Sequence, residues 1–421
     1  MGTGIIIVFI IGYVFIAFEH SLNINKAATA LFTGVVCWTL YILNSNNPHE
    51  TTGILTEHLG DIAGILFFLL GAMTVVELID AHDGFSLITK YITTTNARKL
   101  LWIVGIIAFL LSAVLDNLTT TIVMVSLLRK LISNQTIRLY FVGLTIIAAN
   151  AGGAWSPIGD VTTTMLWIGG QITTNHIVSS LLLPSLVCLV VPVLLLSIKI
   201  KGNLERPELT ADDLKVSSLK DRNIIFFLGI GILLFVPVFK TITHLPPFMG
   251  MLLGLAVLWF ISELLHKKKE DAERTTFSVV RALERIDTPS ILFFLGILLS
   301  ISVLEIGGQL HELSTWLGTV FKSSEAIAYV IGLLSAIVDN VPLVAASIGM
   351  YDLSMFPPDH VFWTFLAYCA GTGGSALIIG SAAGVAAMGI EKISFMWYLK
   401  HISLIALVGY SAGAVVFLLI Q

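Results

Sequence analysis

The chain has 421 residues, of which 56% are hydrophobic and only 12% are charged, and its formal net charge is −4. A soluble protein of this length needs a polar surface that so few charged residues cannot cover, and nucleic-acid binding needs a basic patch that this charge balance does not offer. The composition therefore excludes both and predicts an all-α polytopic membrane protein.

Apolar blocks follow one another along the whole chain and predict about ten membrane spans. The first block has no Lys or Arg before Lys26, so we expect a span there rather than a secretory leader. The predicted spans cover residues 4–18, 27–43, 61–79, 139–170, 176–198, 223–239, 247–265, 289–305, 360–389 and 396–420.

Two further apolar stretches, residues 99–128 and 325–350, each carry an Asp-Asn pair near their centre. A charged side chain followed by an amide interrupts an apolar run at the depth where such groups are most costly. Both stretches are therefore predicted to be re-entrant helical hairpins, which return to the side of the membrane from which they entered.

The distribution of Lys and Arg predicts the orientation, because basic loops stay in the cytoplasm. Basic and weakly basic connections alternate along the chain only if both hairpins return to their own side. Both termini are then outside, and the first hairpin enters from the cytoplasm and the second from outside. The basic segments are residues 80–100, 129–138, 199–222, 266–285 and 392–400, and the others are 44–60, 171–175, 240–246, 306–324 and 351–359.

An internal repeat relates the two halves of the chain. Residues 65–69 recur as 291–295, and residues 110–117 recur as 333–340 with six of eight positions identical. Three glycines of the first half recur at the same spacing in the second, and matches in the same order indicate a true repeat. Because the two hairpins are predicted to enter from opposite sides, the repeats are predicted to have inverted topology.

The repeat predicts the division of the chain, with a re-entrant hairpin and a broken transmembrane helix in each copy. The predicted segments are N-terminal spans (1–60), repeat 1 (61–198, hairpin 99–128, broken helix 139–170), a cytoplasmic loop (199–222), two spans and a second cytoplasmic loop (223–288), and repeat 2 (289–421, hairpin 325–350, broken helix 360–389).

The ionisable residues inside the predicted membrane segments are all acidic: Asp116, Asp160 and Asp339, with Glu77 and Glu305 near span ends. A charge at the bilayer centre costs roughly 2.5 to 3.5 kcal/mol, so three carboxylates with no basic residue at the same depth require a bound cation or protons. This imbalance predicts a cation as cargo, whereas an anion carrier needs neutral donors or basic groups.

Oxygen-bearing side chains accompany these carboxylates on backbone that Gly and Pro are expected to interrupt. Carboxylate, amide, hydroxyl and carbonyl oxygens suit a hard cation such as Na⁺, so we predict one site shared by Na⁺ and protons. Its predicted residues are Asp116, Asn117, Thr119, Asn150, Asp160, Thr162, Thr163, Ser335, Asp339, Asn340 and Ser375, with Ser112, Thr120, Ser156, Thr372, Ser381, Glu77 and Glu305 as further candidates.

A purely structural role is the alternative for the two Asp-Asn pairs, because Asp and Asn are ordinary helix N-caps. Each pair could cap the second arm of its hairpin, and Asn117 and Asn340 could both cap and coordinate. Ser381 stands in the second copy where Asp160 stands in the first, so the site is predicted to be asymmetric.

No GxxxxGK, HExxH or GxSxG motif occurs in the chain. Neither ATP-driven transport nor hydrolysis therefore has a motif behind it. We expect a protein that is not an enzyme, needs no cofactor and takes its energy from ion gradients.

The hairpins, the repeat and the motif at residues 150–163 resemble the NhaD type of Na⁺/H⁺ antiporter, whose superfamily also contains divalent anion/sodium symporters. The resemblance implies a homodimer in a cell (inner) membrane, with a transport domain that moves like an elevator against a scaffold that includes residues 1–60 and 223–288. Anion symporters of the superfamily carry Ser-Asn-Thr at the hairpin tips, where this chain has Asp116-Asn117 and Asp339-Asn340. The substitution of carboxylates for hydroxyls favours a cation.

We accordingly predict exchange of cytoplasmic Na⁺, and also Li⁺, for external protons by alternating access. The first alternative is a Na⁺-coupled symporter of a small anion such as a dicarboxylate, in which the same acids hold only the coupling ion. The second is a channel or a membrane scaffold that transports nothing.

Overall fold

The computed structural model describes residues 2–17, 19–22, 24–45, 47–89, 92–207, 218–267 and 277–421. Over these residues the chain is built from helices, and the β-contact found among them is an isolated antiparallel bridge between Asn96 and Asn203. The all-α prediction is confirmed. The central parts of the predicted loops 199–222 and 266–285 lie outside the described residues.

The main helices are numbered in chain order, and several shorter turns lie between them. They are α1 (Gly2–Ala17), α2 (Lys26–Leu43), α3 (Pro48–Ala81), α4 (Ala97–Ser112), α5 (Asn117–Leu131), α6 (Gln135–Ala154), α7 (Val161–Ile168), α8 (Thr174–Lys199), α9 (Leu219–Thr243), α10 (Pro247–His266), α11 (Val279–Arg285), α12 (Thr288–Ile306), α13 (Gln309–Val320), α14 (Ser324–Leu334), α15 (Asn340–Met350), α16 (Val361–Gly373), α17 (Ala382–Glu391) and α18 (Leu404–Ile420).

Eight helices in the described part of the chain are long and apolar enough to cross a membrane: α2, α3, α6, α8, α9, α10, α12 and the run Phe395–Ile420 that ends in α18. The pair α13 and α14 is a ninth candidate, bent by 112°. The chain is therefore a multi-pass membrane protein.

Helix α3 corrects one predicted boundary, because it begins at Pro48 whereas the sequence predicted a connection up to residue 60. Asn47 caps the helix and Pro48 occupies its first turn, where the missing N–H is not needed. Its polar first turns continue the helix beyond the apolar segment that hydropathy detects.

Breaks separate α4 from α5, α6 from α7, α14 from α15 and α16 from α17. These are the places at which the Asp-Asn pairs and the Gly-rich motifs predicted interruptions. Helix α5 packs against α17, and α15 packs against α7. The second arm of each hairpin thus lies on the half-helix that follows the break of the other half, which brings the four breaks together.

Candidate ion-binding site

Four helices begin at the breaks, and each begins with a capping side chain. Asp116, Asp160, Asp339 and Ser381 cap α5, α7, α15 and α17, and each accepts a hydrogen bond from a backbone N–H of the first turn. The structural role considered for the Asp-Asn pairs is therefore present. The partial positive charge of a helix N-terminus stabilises each carboxylate.

Asp160 lies where side chains from both hairpins meet. Its Oδ2 accepts hydrogen bonds from Nδ2 of Asn117 and Nδ2 of Asn340, each at 3.2 Å. Its Oδ1 accepts the backbone N–H of Thr162, and its carbonyl oxygen accepts from the Thr163 hydroxyl at 2.9 Å. Only 2% of Asp160 is exposed, so the carboxylate is held by protein groups rather than by bulk water.

Asn150 extends these contacts into the second half of the chain. Its Oδ1 accepts from Asn117 at 3.0 Å, and its Nδ2 donates to the hydroxyls of Ser375 at 2.9 Å and Ser381 at 3.0 Å. The linked side chains are each at most 5% exposed. We call the following six residues the Asp160 network: Asn117, Asn150, Asp160, Asn340, Ser375 and Ser381.

Asp116 lies beside the network, at the tip of the first hairpin. Its carboxylate accepts from the backbone N–H of Thr119 at 2.6 Å and from the Thr119 hydroxyl at 3.1 Å. The φ angle of Asp116 is 117°, a conformation that side-chain-bearing residues rarely adopt. The strained backbone directs the chain into α5 so that Asn117 reaches Asp160.

Asp339 corrects the expectation that the carboxylates lack a built-in counter-ion. Nζ of Lys26, the first residue of α2, lies 3.1 Å from Oδ2 of Asp339. The pair is half-buried, with 24% and 17% of the two side chains exposed. The sequence placed Lys26 at a span end, and only the packed structure brings it to the tip of the second hairpin.

Three threonine hydroxyls in the first turns of α5 and α7 have no hydrogen-bond partner among the described residues, namely those of Thr120, Thr121 and Thr162. All three residues are fully buried. A buried hydroxyl without a partner is costly, so a bound ion or water is the expected partner.

Ser112 and Ser335 tie each hairpin to the interrupted helix of its own half. The Ser112 hydroxyl donates to the carbonyl of Ala149 at 2.6 Å, and the Ser335 hydroxyl lies 3.3 Å from the carbonyl of Ala370. The two contacts occupy corresponding places in the repeat. Both serines therefore support the site, and their hydroxyls are engaged with backbone.

Four other candidates lie outside the Asp160 network. The hydroxyls of Ser156 and Thr372 make local bonds to backbone groups at 3.4 and 2.6 Å. Glu77 is 3.8 Å from Arg285, and Glu305 is exposed. Both glutamates thus belong to the ends of their helices.

An ion cluster around one buried carboxylate, which the sequence did not indicate, joins the two halves beside α5. Glu391 is 2% exposed, and its two oxygens pair with Nε of Arg129 at 2.5 Å and Nε of Arg138 at 3.1 Å. The signal for it was present, since Glu391 ends an apolar helix. Its partners, more than 250 residues away, could not be inferred from local pattern.

The Asp160 network provides one carboxylate, three amides and two hydroxyls, and none of its members carries a positive charge. Such hard oxygen ligands suit a cation of low charge or a proton. In the portion that the structure describes, no group of three or more His, Cys, Asp or Glu side chains is arranged to hold one metal ion. Of the three predicted aspartates, Asp160 is therefore at the centre of the network, and Asp116 and Asp339 flank it.

The sequence matches one family model and several named transporters. The CitMHS model, described as a citrate transporter, matches residues 13–366. The chain is 50% identical to sodium/proton antiporter 1 of Arabidopsis thaliana, over 99% of this chain and 72% of that protein. It is 48% identical to sodium/proton antiporter 2 of the same plant, over 99% of both chains. It is 31% identical to the Na⁺/H⁺ antiporter NhaD of Vibrio cholerae, over 100% of this chain and 92% of that protein.

Proposed function

Because the chain belongs to the CitMHS family and to the NhaD-type Na⁺/H⁺ antiporters, we propose that it is a secondary transporter that exchanges Na⁺ for protons. The names of its relatives support this activity along almost the whole length of the chain. Ion gradients supply the energy, so the protein acts without ATP, without a cofactor and without catalysing a covalent reaction.

The observation that carries the proposal is the buried carboxylate of Asp160, the one acid of the Asp160 network, which accepts hydrogen bonds from two amides in opposite halves of the chain. A carboxylate at this depth is stabilised by binding either a proton or a cation. Occupancy by one excludes the other, and this competition is what an antiporter requires. Thr120 and Thr162 supply buried hydroxyls that can complete the shell of Na⁺.

The interlocked hairpins favour movement of the site as one body. Helix α5 packs on α17 and α15 packs on α7, while α2 and α12 pack along each other and α12 also contacts α15. We propose that the first group carries the ion, in an elevator-like motion, against a scaffold that contains α2 and α12. The finer proposals are Li⁺ as a second cargo, export of cytoplasmic Na⁺, a homodimer in the inner membrane and both termini outside.

Proteoliposomes with a trapped pH dye test the exchange. Protein is reconstituted in vesicles with an acidic interior, and external NaCl is added at alkaline pH. Sodium-dependent proton efflux that saturates with Na⁺ is the expected result, and LiCl and KCl show the cation preference. No efflux above that of empty vesicles contradicts antiport, and an unsaturable ion current indicates a channel.

Na⁺-coupled uptake of an anion is the second candidate, because the matched family model is that of a citrate transporter. Four capped helix N-termini meet at the site, and helix N-termini are able to bind carboxylates. The negative charge of Asp160 opposes an anion there. Uptake of labelled citrate driven by a Na⁺ gradient would favour this candidate, and its absence together with proton efflux favours antiport.

A further inference from the structure

Lys26 occupies a constrained place between the scaffold and the second hairpin. Its backbone N–H donates to Glu19 Oε1 at 3.0 Å, and the side chain of Asn25 caps the first turn of α2. The ammonium group lies 4.4 Å from the centre of the Phe293 ring and 3.1 Å from Oδ2 of Asp339. The ring and the carboxylate together hold the positive charge at the hairpin tip.

Two cavities adjoin this ion pair. One, of about 230 Å³, is lined by Glu19, Lys26, Asp287 and the first turns of α5 and α17. The other, of about 60 Å³, is lined by Glu19, Lys26 and Asp339. Lys26 and Glu19 line both cavities. We call the larger cavity, which Glu19 and Asp287 make acidic, the vestibule. The Lys26–Asp339 ion pair stands between the vestibule and the smaller cavity at the tip of the second hairpin.

We propose that Lys26 is the internal counter-ion that Na⁺ must displace from Asp339 on its way from this vestibule to the Asp160 network. The inference rests on the proposed Na⁺/H⁺ exchange and adds to it a residue that sets the affinity for Na⁺. Glu19 and Asp287 attract the cation into the vestibule. Asp339 takes it up in exchange for the ammonium group, and Asn340, the next residue, already donates to Asp160.

The ion pair sets the cation affinity because both positive charges compete for one carboxylate. A half-buried pair loses part of its Coulomb attraction to solvent, so a small ion at sufficient concentration is able to replace the ammonium group. The pair also keeps Asp339 compensated when no Na⁺ is bound. Lys26 thus weakens Na⁺ binding and prevents an uncompensated carboxylate in the empty site.

The test compares the KM for Na⁺ of Lys26→Gln with that of the wild type in the pH-dye assay, at an alkaline pH fixed for all variants. Loss of the competing charge is expected to lower KM about three- to tenfold. Lys26→Arg, which keeps the charge, is expected to restore a KM within about twofold of the wild type. Equilibrium binding of ²²Na⁺ to the purified proteins is expected to show the same order.

Lys99→Gln is the matched control, because Lys99 is exposed and its loss removes the same charge from the surface. Its KM is expected to equal that of the wild type. If Lys26→Gln does not fold, Lys26→Met, whose stem preserves contact with Phe293, replaces it. An unchanged or higher KM in the variant, or a fall in kcat alone, overturns the inference while wild-type exchange still stands. No exchange by the wild type overturns the proposed function instead.

Discussion

Asn340 donates a hydrogen bond of 3.2 Å to the carboxylate of Asp160, although the two residues are 180 positions apart in the chain. Asn117 donates to the same oxygen at the same distance. Each hairpin tip thus contributes one amide to one acid. Replacing Asp160 therefore removes an acceptor of hydrogen bonds from both halves of the chain. Replacing Asn117 or Asn340 leaves the other amide bound to Asp160.

Asp160→Asn is expected to reduce Na⁺-dependent proton efflux to the level of empty vesicles. The amide has nearly the shape of the carboxylate but keeps one acceptor oxygen, which can accept either from Asn117 and Asn340 or from the Thr162 N–H, and the group no longer binds a proton or neutralises a cation. The unfolding temperature in detergent is expected to stay within a few degrees of the wild type. Efflux at the wild-type rate would remove Asp160 from the mechanism.

Asp352→Asn serves as the control for Asp160→Asn. Asp352 is exposed and accepts hydrogen bonds within its own turn. The control removes one carboxylate from the molecule without touching the network. Its exchange rate is expected to remain within about twofold of the wild type, as for most surface substitutions.

Asp116→Gly and Asp116→Ala separate backbone strain from charge at the first hairpin tip. Glycine tolerates the φ angle of 117°, whereas alanine retains the strain and both variants lose the cap. The glycine variant is expected to be about 1 to 3 kcal/mol more stable than the alanine variant. We expect neither to exchange ions, because the carboxylate is missing.

Chemical unfolding in detergent gives the stability difference between the Asp116 variants, and the pH-dye assay gives their activity. Asp116→Asn, which keeps a capping oxygen and the same backbone strain as the wild type, completes the set. It is expected to be folded and inactive. Normal exchange by this variant would leave Asp116 with a capping role alone.

Gly380→Ala is expected to destabilise the break between α16 and α17. A Cβ there would lie 2.6 Å from the carbonyl oxygen and 2.7 Å from Cα of Ala336, so the backbone must move. Overpacking of this kind costs about 1 to 3 kcal/mol. The matched substitution Gly389→Ala, in the same region but with open space around it, is expected to be neutral or stabilising by about 0.5 to 1 kcal/mol. Equal unfolding midpoints would contradict the close approach.

Glu391→Gln is expected to destabilise the protein by about 1 to 3 kcal/mol, because the largely buried Arg138 loses its counter-ion, whereas Arg129 is half-exposed and remains hydrated. Glu284→Gln provides the comparison. Glu284 pairs with Arg281 at 2.5 Å on the surface, with about half of each side chain exposed. Such a pair contributes at most about 1 kcal/mol and is screened by salt. The free energy of unfolding of both variants, measured at low and high ionic strength, gives the contribution of each ion pair and its dependence on salt.

The breaks of the fold could be predicted from the sequence because their causes are local. Asp116 and Asp339 interrupt apolar runs, and the glycines around Asp160 interrupt another. The start of α3 at Pro48 could not, since a helix continues through polar turns that hydropathy reads as a connection.

All six members of the Asp160 network could also be predicted as candidates, because oxygen-bearing side chains are conspicuous in an apolar sequence. The partners of those ligands could not. Lys26 is 313 positions from Asp339 in the chain. From the sequence alone, a lysine at the end of a span is equally compatible with an exposed position in a connection. The ion pairs of Glu391 could not be predicted for the same reason, since only tertiary contact brings Arg129 and Arg138 to its carboxylate.

Ser381 limits the negative charge of the Asp160 network. A carboxylate at position 381 would place a second negative charge beside the amide of Asn150. Two positive charges would then have to bind before the network became neutral. With Ser381 in place, one monovalent ion neutralises the Asp160 network. In the proposed exchange, the network would therefore be electrically neutral with either one Na⁺ or one proton bound to Asp160.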